Sequence, residues 1–407
     1  MTKQREIAWI PQPKSIRWLP GQFSWDGVEA LVISESGDDR LLTWARALRE
    51  ELAGRLGRKL AIRTTPAVEP GVWLAATADS DVSSVQLDLP ESPEGYVLQI
   101  TPTMLALAAR RPAGLYYGLQ TLHQLLADMA DESPNLPAVH ITDWPDLSLR
   151  GIHLDLKGAM APFEYWREVI RTLAHYKINA LLIEYEDKFP YERHSDIVSP
   201  GALTQGQVAE LVELAREHCI EVIPLVQCLG HVEYVLRHER YASLREAGEL
   251  SQYCPLEPGA ATLFREMADE VIAAHPYSRY FHLGADETWI LGQCPRCREA
   301  VARKGKLGLY MDYVVPAIEY VSSQGKTPII WDDMVWRTPD PDRVSQLPPE
   351  TVMCDWFYHI TEPEVPYFLW GDETDMSRRW ISRRWREIDP TVIPANARPL
   401  EELPEAG

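Results

Sequence analysis

The sequence predicts an α/β protein: a small N-terminal α/β domain followed by a (β/α)8 TIM-type barrel that runs short of residues at its C-terminal end. Three observations predict it. A length of 407 residues suits a small domain beside a barrel of about 250. From Arg150 onward, short apolar runs alternate repeatedly with helix-like stretches, the pattern of βα units with a parallel sheet. No glycine-rich dinucleotide fingerprint follows the first of those runs and no GxxxxGK[ST] occurs, which removes the usual Rossmann and P-loop functions. The boundary falls at residues 1–143 and 144–407, because Asp143-Trp144-Pro145 reads as a turn-like hinge.

In the first domain Glu29–Ser34 reads as a short strand. Asp38 or Asp39 caps a helix whose Leu41, Ala45, Leu48, Leu52 and Leu56 keep near-helical spacing. Strands follow near 59–63, 72–76, 95–100 and 103–109. A helix from Pro112 to Ala127 aligns Leu115, Leu119, Leu122 and Leu126 on one stripe. In the second domain GIHLDL, NALLIEY, EVIPLVQ, RYFHLGA, TPIIW and TVMCDWF are six successive strands. Pro162 opens the helix after the first, and Thr204 with Gln207 forms a capping box for the helix after the second.

Composition narrows the partners. The chain is 45% apolar and 25% charged, ordinary for a globular protein. Its 40 Lys and Arg against 60 Asp and Glu leave −20, which opposes nucleic-acid backbones and anionic membrane surfaces. No run approaches the roughly 20 apolar residues of a spanning helix. MTKQREIAWIPQPKS carries no apolar core of a secretory signal, so a soluble cytoplasmic protein is expected. None of the six cysteines lies in the first half, which is no disulfide framework. Cys294-Pro-Arg-Cys297 lacks a second CxxC. It reads as a tight turn with two free thiols in preference to half of a zinc ribbon or a redox pair.

In a barrel, functional groups gather where the strands end, because the βα loops form the active face. There the sequence places Glu186 and Asp187 after strand two, Gly230 and His231 after strand three, and His282 through Glu287 after strand four. Trp331-Asp332-Asp333 ends strand five and Trp356 ends strand six. Each has a bland reading: an N-cap, a structural histidine, a core indole. Together, carboxylates and flat indole faces suit a neutral sugar, the acids for proton transfer and the rings for the apolar face of a pyranose.

His282-Leu-Gly-Ala-Asp286-Glu287 resembles the H-x-G-x-D-E signature of family 20 glycoside hydrolases, the β-N-acetylhexosaminidases. Glu94-Gly95-Tyr96 and the run Gly114–Leu122 resemble the auxiliary α/β domain of that family, and Arg150-Gly151 its first barrel strand. Glu184–Pro190 and Pro224–His231 are similar to the hexosaminidase D-like branch. The resemblance implies a retaining exo-β-N-acetylhexosaminidase acting on terminal GlcNAc or GalNAc, with no metal and no cofactor. The substrate's own acetamide would be the nucleophile, giving an oxazolinium intermediate. It implies Glu287 as general acid and base, and Asp286 as the group that orients the acetamide. Arg150 would donate to the sugar's 3- and 4-hydroxyls, and Asp187 with His231 would form a pair that tunes Glu287. Trp331 and Trp356 would wall the acetamide pocket, Tyr358 would hydrogen-bond there, and Trp289 would line the aglycone side or pack a helix.

Departures from the family pattern are expected to bear on specificity. Leu182 and Glu184 stand where many members have histidines, and Gln227-Cys-Leu stands where many have Asp-Met-Pro. Only 49 residues follow Tyr358, against about 60 for two further βα units, and Phe368-Leu-Trp370-Gly-Asp-Glu373 only faintly resembles the family's last strand. Two competing readings are a non-catalytic sugar-binding relative and a metal-dependent hydrolase using His282, His231 and Asp286.

Overall fold

The computed structural model describes residues 7–34, 38–64, 71–76, 87–128, 134–158, 160–336 and 340–356. Its first unit is a seven-stranded mixed sheet of β1 (Ser15–Phe23), β2 (Ala30–Ile33), β3 (Ala61–Arg63), β4 (Gly71–Ala76), β5 (Tyr96–Ile100), β6 (Met104–Ala109) and β7 (Leu136–Asp143). The order is β1-β7-β5-β6-β4-β2-β3. Helices α1 (Arg40–Leu56) and α2 (Pro112–Asp128) bury the stripes read from the sequence, except that Leu56 is only half-buried. β1 and β7 were not legible there. Pro20-Gly21 makes β1 look like a turn; it is instead a register irregularity between Trp18 and Gln22 within a strand paired to β7.

The second unit carries β8 (Gly151–Asp155), β9 (Ala180–Glu184), β10 (Glu221–Leu225), β11 (Tyr280–His282), β12 (Thr327–Trp331) and β13 (Val352–Cys354). All are parallel and lie side by side in chain order without reversal. A doubly wound sheet reverses its order at a switch point, whereas a barrel does not. Six strands are described, and β8 and β13 are not paired with each other among the described residues, so the wall they form is an incomplete barrel. Tyr358 and the Phe368–Glu373 segment lie outside the described residues. The central strands read as apolar runs because both their faces are covered.

The covering helices are α3 (Phe163–His175), α4 (Gln205–Glu217), the short α5 (Glu233–Leu236), α6 (Pro258–Ala274) and α7 (Pro295–Ser323), the last broken by a left-handed Gly305. The capping box on α4 is present: Gln207 N–H donates to Thr204 Oγ1 at 3.2 Å and Thr204 N–H to Gln207 Oε1 at 2.9 Å. Among the described residues no helix is long and apolar enough to cross a membrane.

One hydrophobic cluster runs through both units. At their junction Lys177 is buried, and its ammonium donates to Asp143 Oδ2 and to the Tyr96 hydroxyl, both at 2.9 Å. Trp44 Nε1 donates to Glu217 O at 2.8 Å, and the Tyr116 hydroxyl meets His218 Nδ1 at 2.6 Å. These polar groups are satisfied across the seam, so burying them there costs little.

Candidate active site

Parallel strands bring their C-terminal ends to one edge, and there the chain turns through unusual backbone. After β11 it passes through Gly284 (φ 66°), Ala285 (φ 73°) and Glu287 (φ 47°); after β10, His231 has φ 53°. Three bonds fasten the β11 turn. The Tyr310 hydroxyl donates to Ala285 O at 3.1 Å, Trp331 N–H to Gly284 O at 3.0 Å, and Glu287 N–H to Asp333 Oδ2 at 3.2 Å. Two glycines are dictated by close approach. A Cβ on Gly284 would sit 1.8 Å from Gln227 Oε1, and one on Gly230 would sit 2.5 Å from Asp286 O.

The side chains form one network. His231 Nε2 lies 3.3 Å from Asp286 Oδ2 and 3.4 Å from Glu287 Oε2. Hydrogen bonding to Asp286, then to Glu287, raises the imidazole to about 10 against the opposing effect of burial, so a cation stands between two adjacent acids at neutral pH. Gln227 is buried. Its amide donates to Glu184 Oε1 at 2.9 Å and to Asp286 Oδ1 at 3.4 Å, while its carbonyl accepts Ala285 N–H at 3.3 Å. Glu184 also faces His153 Nε2 at 3.5 Å. Burial pushes Glu186 up to about 7, against the pull of Lys157 Nζ at 3.1 Å.

His282 is buried and pushed down to about 3 by that burial. Its Nδ1 accepts Gly284 N–H at 2.9 Å, which assigns the ring proton to Nε2. The ring packs 4.4 Å from that of Trp331, which in turn lies 5.8 Å from His153.

The structure thus brings together Asp286, Glu287, His231 and Trp331 at one edge. Trp356 is half-buried two residues beyond β13, whose Cys354 pairs with Trp331, and Trp289 is exposed just past Glu287. Tyr358 is not among the described residues.

Two residues sit elsewhere than their expected roles would place them. Arg150 precedes β8, at the floor and not the active face. A five-residue strand separates the two by about 16 Å. Its guanidinium is engaged by Glu94 Oε2 at 2.8 Å, Lys177 O at 2.9 Å and Leu147 O at 2.7 Å, so it clasps the two units. Asp187 does not pair with His231. It is buried against Lys188 (2.5 Å) and Arg237 (2.7 Å); burial pushes its carboxyl up, but those two bonds outweigh it and hold it low. Among the described residues His231, His282 and Asp286 are not brought together as a group of metal ligands.

Sequence reading placed Glu186 at this edge without a role, noted Glu184 and Gln227 only as departures, and missed Lys157. The signal was available: Glu184 and Gln227 are both departures from the family pattern, and they are hydrogen-bonded to each other. Each departure therefore supplies the other's partner.

Residues 6–144 match the model for glycosyl hydrolase family 20, domain 2, and residues 148–362 match the family's catalytic domain. The chain belongs to glycosyl hydrolase family 20. It is 35% identical to hexosaminidase D of Bos taurus over 218 residues, 51% of this chain and 63% of that one. The Homo sapiens hexosaminidase D is also 35% identical, over 50% of this chain and 43% of its own length. A beta-N-acetylhexosaminidase of Cellulomonas fimi is 26% identical, over 69% of this chain and 60% of its own. The chain thus spans less than two thirds of the length of these curated relatives. Among solved family 20 structures, a mutant Streptomyces plicatus beta-hexosaminidase in complex with its product GlcNAc superimposes with a TM-score of 0.68 at 19% identity. That match covers 93% of this chain and 72% of the other. The beta-N-acetylhexosaminidase of Bacteroides fragilis gives 0.66 at 21% identity, over 84% and 68%. These likenesses establish the fold.

Proposed function

We propose that this family 20 chain is a retaining exo-β-N-acetylhexosaminidase that removes terminal GlcNAc or GalNAc from glycans by substrate-assisted catalysis. The observation that carries the reading is the adjacent Asp286–Glu287 pair just after β11, with the His231 imidazole between its carboxylates.

In this mechanism the acetamide oxygen of the bound sugar attacks the anomeric carbon while Glu287 gives its proton to the leaving oxygen. The C–O bond to the aglycone breaks and a cyclic oxazolinium forms. Glu287, now a carboxylate, takes a proton from water as that water opens the ring, so the configuration is retained. Asp286 accepts the acetamide N–H and stabilises the positive charge that develops. One acid must be protonated and its neighbour ionised, which needs a group that distinguishes them. In this reading His231 is that group, with its Nε2–H leaning towards Asp286 and away from Glu287. Trp331 and Trp356 wall the acetamide pocket. With Arg150 at the floor, the cation near the sugar hydroxyls is Lys157, just beyond β8 and paired with Glu186.

The test is hydrolysis of aryl β-GlcNAc and β-GalNAc by the wild type and by Glu287→Gln, each with and without brief exposure to a chelator. The expected result is turnover indifferent to the chelator and reduced about 10²–10⁴-fold in the variant. Wild-type binding of a thiazoline analogue without turnover overturns catalysis in favour of a sugar-binding protein. Neither binding nor turnover overturns the sugar specificity itself.

A further inference from the structure

We infer that the chain holds a structural zinc ion between Cys254, Cys294, Cys297 and Glu246, in the segments that follow β10 and β11. One ligand atom from each of these residues lies within 4.8 Å of every other. Cys254 Sγ is 3.5 Å from Cys297 Sγ and 3.8 Å from Cys294 Sγ, and all three cysteines are free. A disulfide would need about 2.05 Å. Tetrahedral zinc with Zn–S bonds of about 2.3 Å sets its sulfurs about 3.8 Å apart. The observed spacing is that of thiolates around a common ion.

The surroundings point the same way. Glu246 is completely buried, yet only Oε1 is satisfied, by Cys294 N–H at 2.7 Å; Oε2 has no hydrogen-bond partner. A buried carboxylate without a cation is costly. The neighbouring Arg296 does not serve, because its guanidinium is exposed, bonded to Glu257 at 2.9 Å, and 3.9 Å from Cys254 Sγ. Cys297 N–H donates to Cys294 Sγ at 3.4 Å, the kind of bond that supports a thiolate at the first turn of a helix. Three sulfurs select a thiophilic ion, and the hard carboxylate oxygen favours Zn²⁺ over Cu⁺. Four protein ligands leave no open coordination position, so the ion is structural and takes no part in hydrolysis.

The sequence reading of Cys294 and Cys297 as free thiols in a turn rested on the missing second CxxC. The fold supplies the other two ligands from 40 and 48 residues upstream. Their placement gives the ion a purpose. Tyr253, beside Cys254, donates its N–H to Leu229 O at 3.0 Å, and Gln252 bridges Gly230, immediately before His231. Cys294 lies a short loop after Glu287. Zinc would therefore fasten the segment bearing His231 to the segment bearing the two acids.

The experiment is elemental analysis of the full chain purified without chelators or metal-affinity resin. One zinc per chain is expected, with release on titration by a thiol-specific mercurial. Cobalt(II) exchanged into the wild type is expected to show thiolate-to-cobalt charge-transfer absorption, a readout that needs no variant to fold. Glu246→Gln and Cys254→Ser are expected to hold less than about a tenth of the wild-type zinc. Glu287→Gln is expected to hold all of it, which separates this inference from the proposed activity. Wild type that has no zinc and takes up neither Zn²⁺ nor Co²⁺, or a Cys254–Cys297 disulfide in the native protein, overturns the inference.

Discussion

Gln227→Met tests whether the buried amide holds the catalytic turn. Methionine is close to glutamine in length and volume, so the substitution removes polar bonds without opening a large cavity. Two bonds are lost: the short one from the amide to Glu184 at 2.9 Å and the longer one from Ala285 N–H to the carbonyl at 3.3 Å. The bond to a carboxylate is worth about 1.5–3 kcal/mol and the neutral one about 0.5–1.5 kcal/mol. The 3.4 Å contact with Asp286 is too long to add much. The expected loss is therefore about 3 kcal/mol, roughly a hundredfold in the folded-to-unfolded ratio. Urea unfolding followed by tryptophan fluorescence measures it as a shift in midpoint at constant slope. Because Ala285 precedes Asp286, kcat/KM on an aryl β-GlcNAc should fall with it. A change within about 0.5 kcal/mol, with activity intact, would show that Gln227 does not anchor the turn.

Gly284→Ala is expected to cost about 2 kcal/mol or more, since its Cβ would meet Gln227 Oε1 at 1.8 Å in a left-handed backbone; a wild-type unfolding midpoint refutes the close approach. Lys177→Met strands the Asp143 carboxylate at the seam between the units, and a loss near 3 kcal/mol should appear in the same assay. Stability should also bend with pH on both sides. His231, raised to about 10, contributes stability that is complete below about 6.5 and lost as pH rises through 10. His282, lowered to about 3, contributes stability that is present above about 6.5 and lost as pH falls towards 3. Melting curves from pH 4 to 10 check this, and His231→Asn should flatten the alkaline side only.

The barrel strands were legible because parallel strands covered on both faces must be apolar runs, and each run was followed by turn and helix signals. The acids Asp286 and Glu287 were legible from a compact local motif. What sequence spacing did not carry was direction. Arg150 sits five residues upstream of a strand's active end, and only the three-dimensional strand shows that this distance runs to the floor. Gln227 and Glu184 escaped for a different reason: each looks like an isolated departure until the register of β9 beside β10 sets them in hydrogen-bonding reach. The cysteines are the same lesson at longer range, since proximity across 40 residues leaves no local trace.

The left-handed backbone at His231, Ala285 and Glu287 has an evolutionary consequence. Side chains with a Cβ pay about 1–2 kcal/mol to adopt that conformation, whereas glycine adopts it freely. At each of these positions mutation towards glycine would relax the chain, and at two of them it would erase a proposed site residue. Selection for thermal robustness alone would thus pull this edge of the barrel towards inactivity. Consensus or stability-guided redesign should leave these positions untouched.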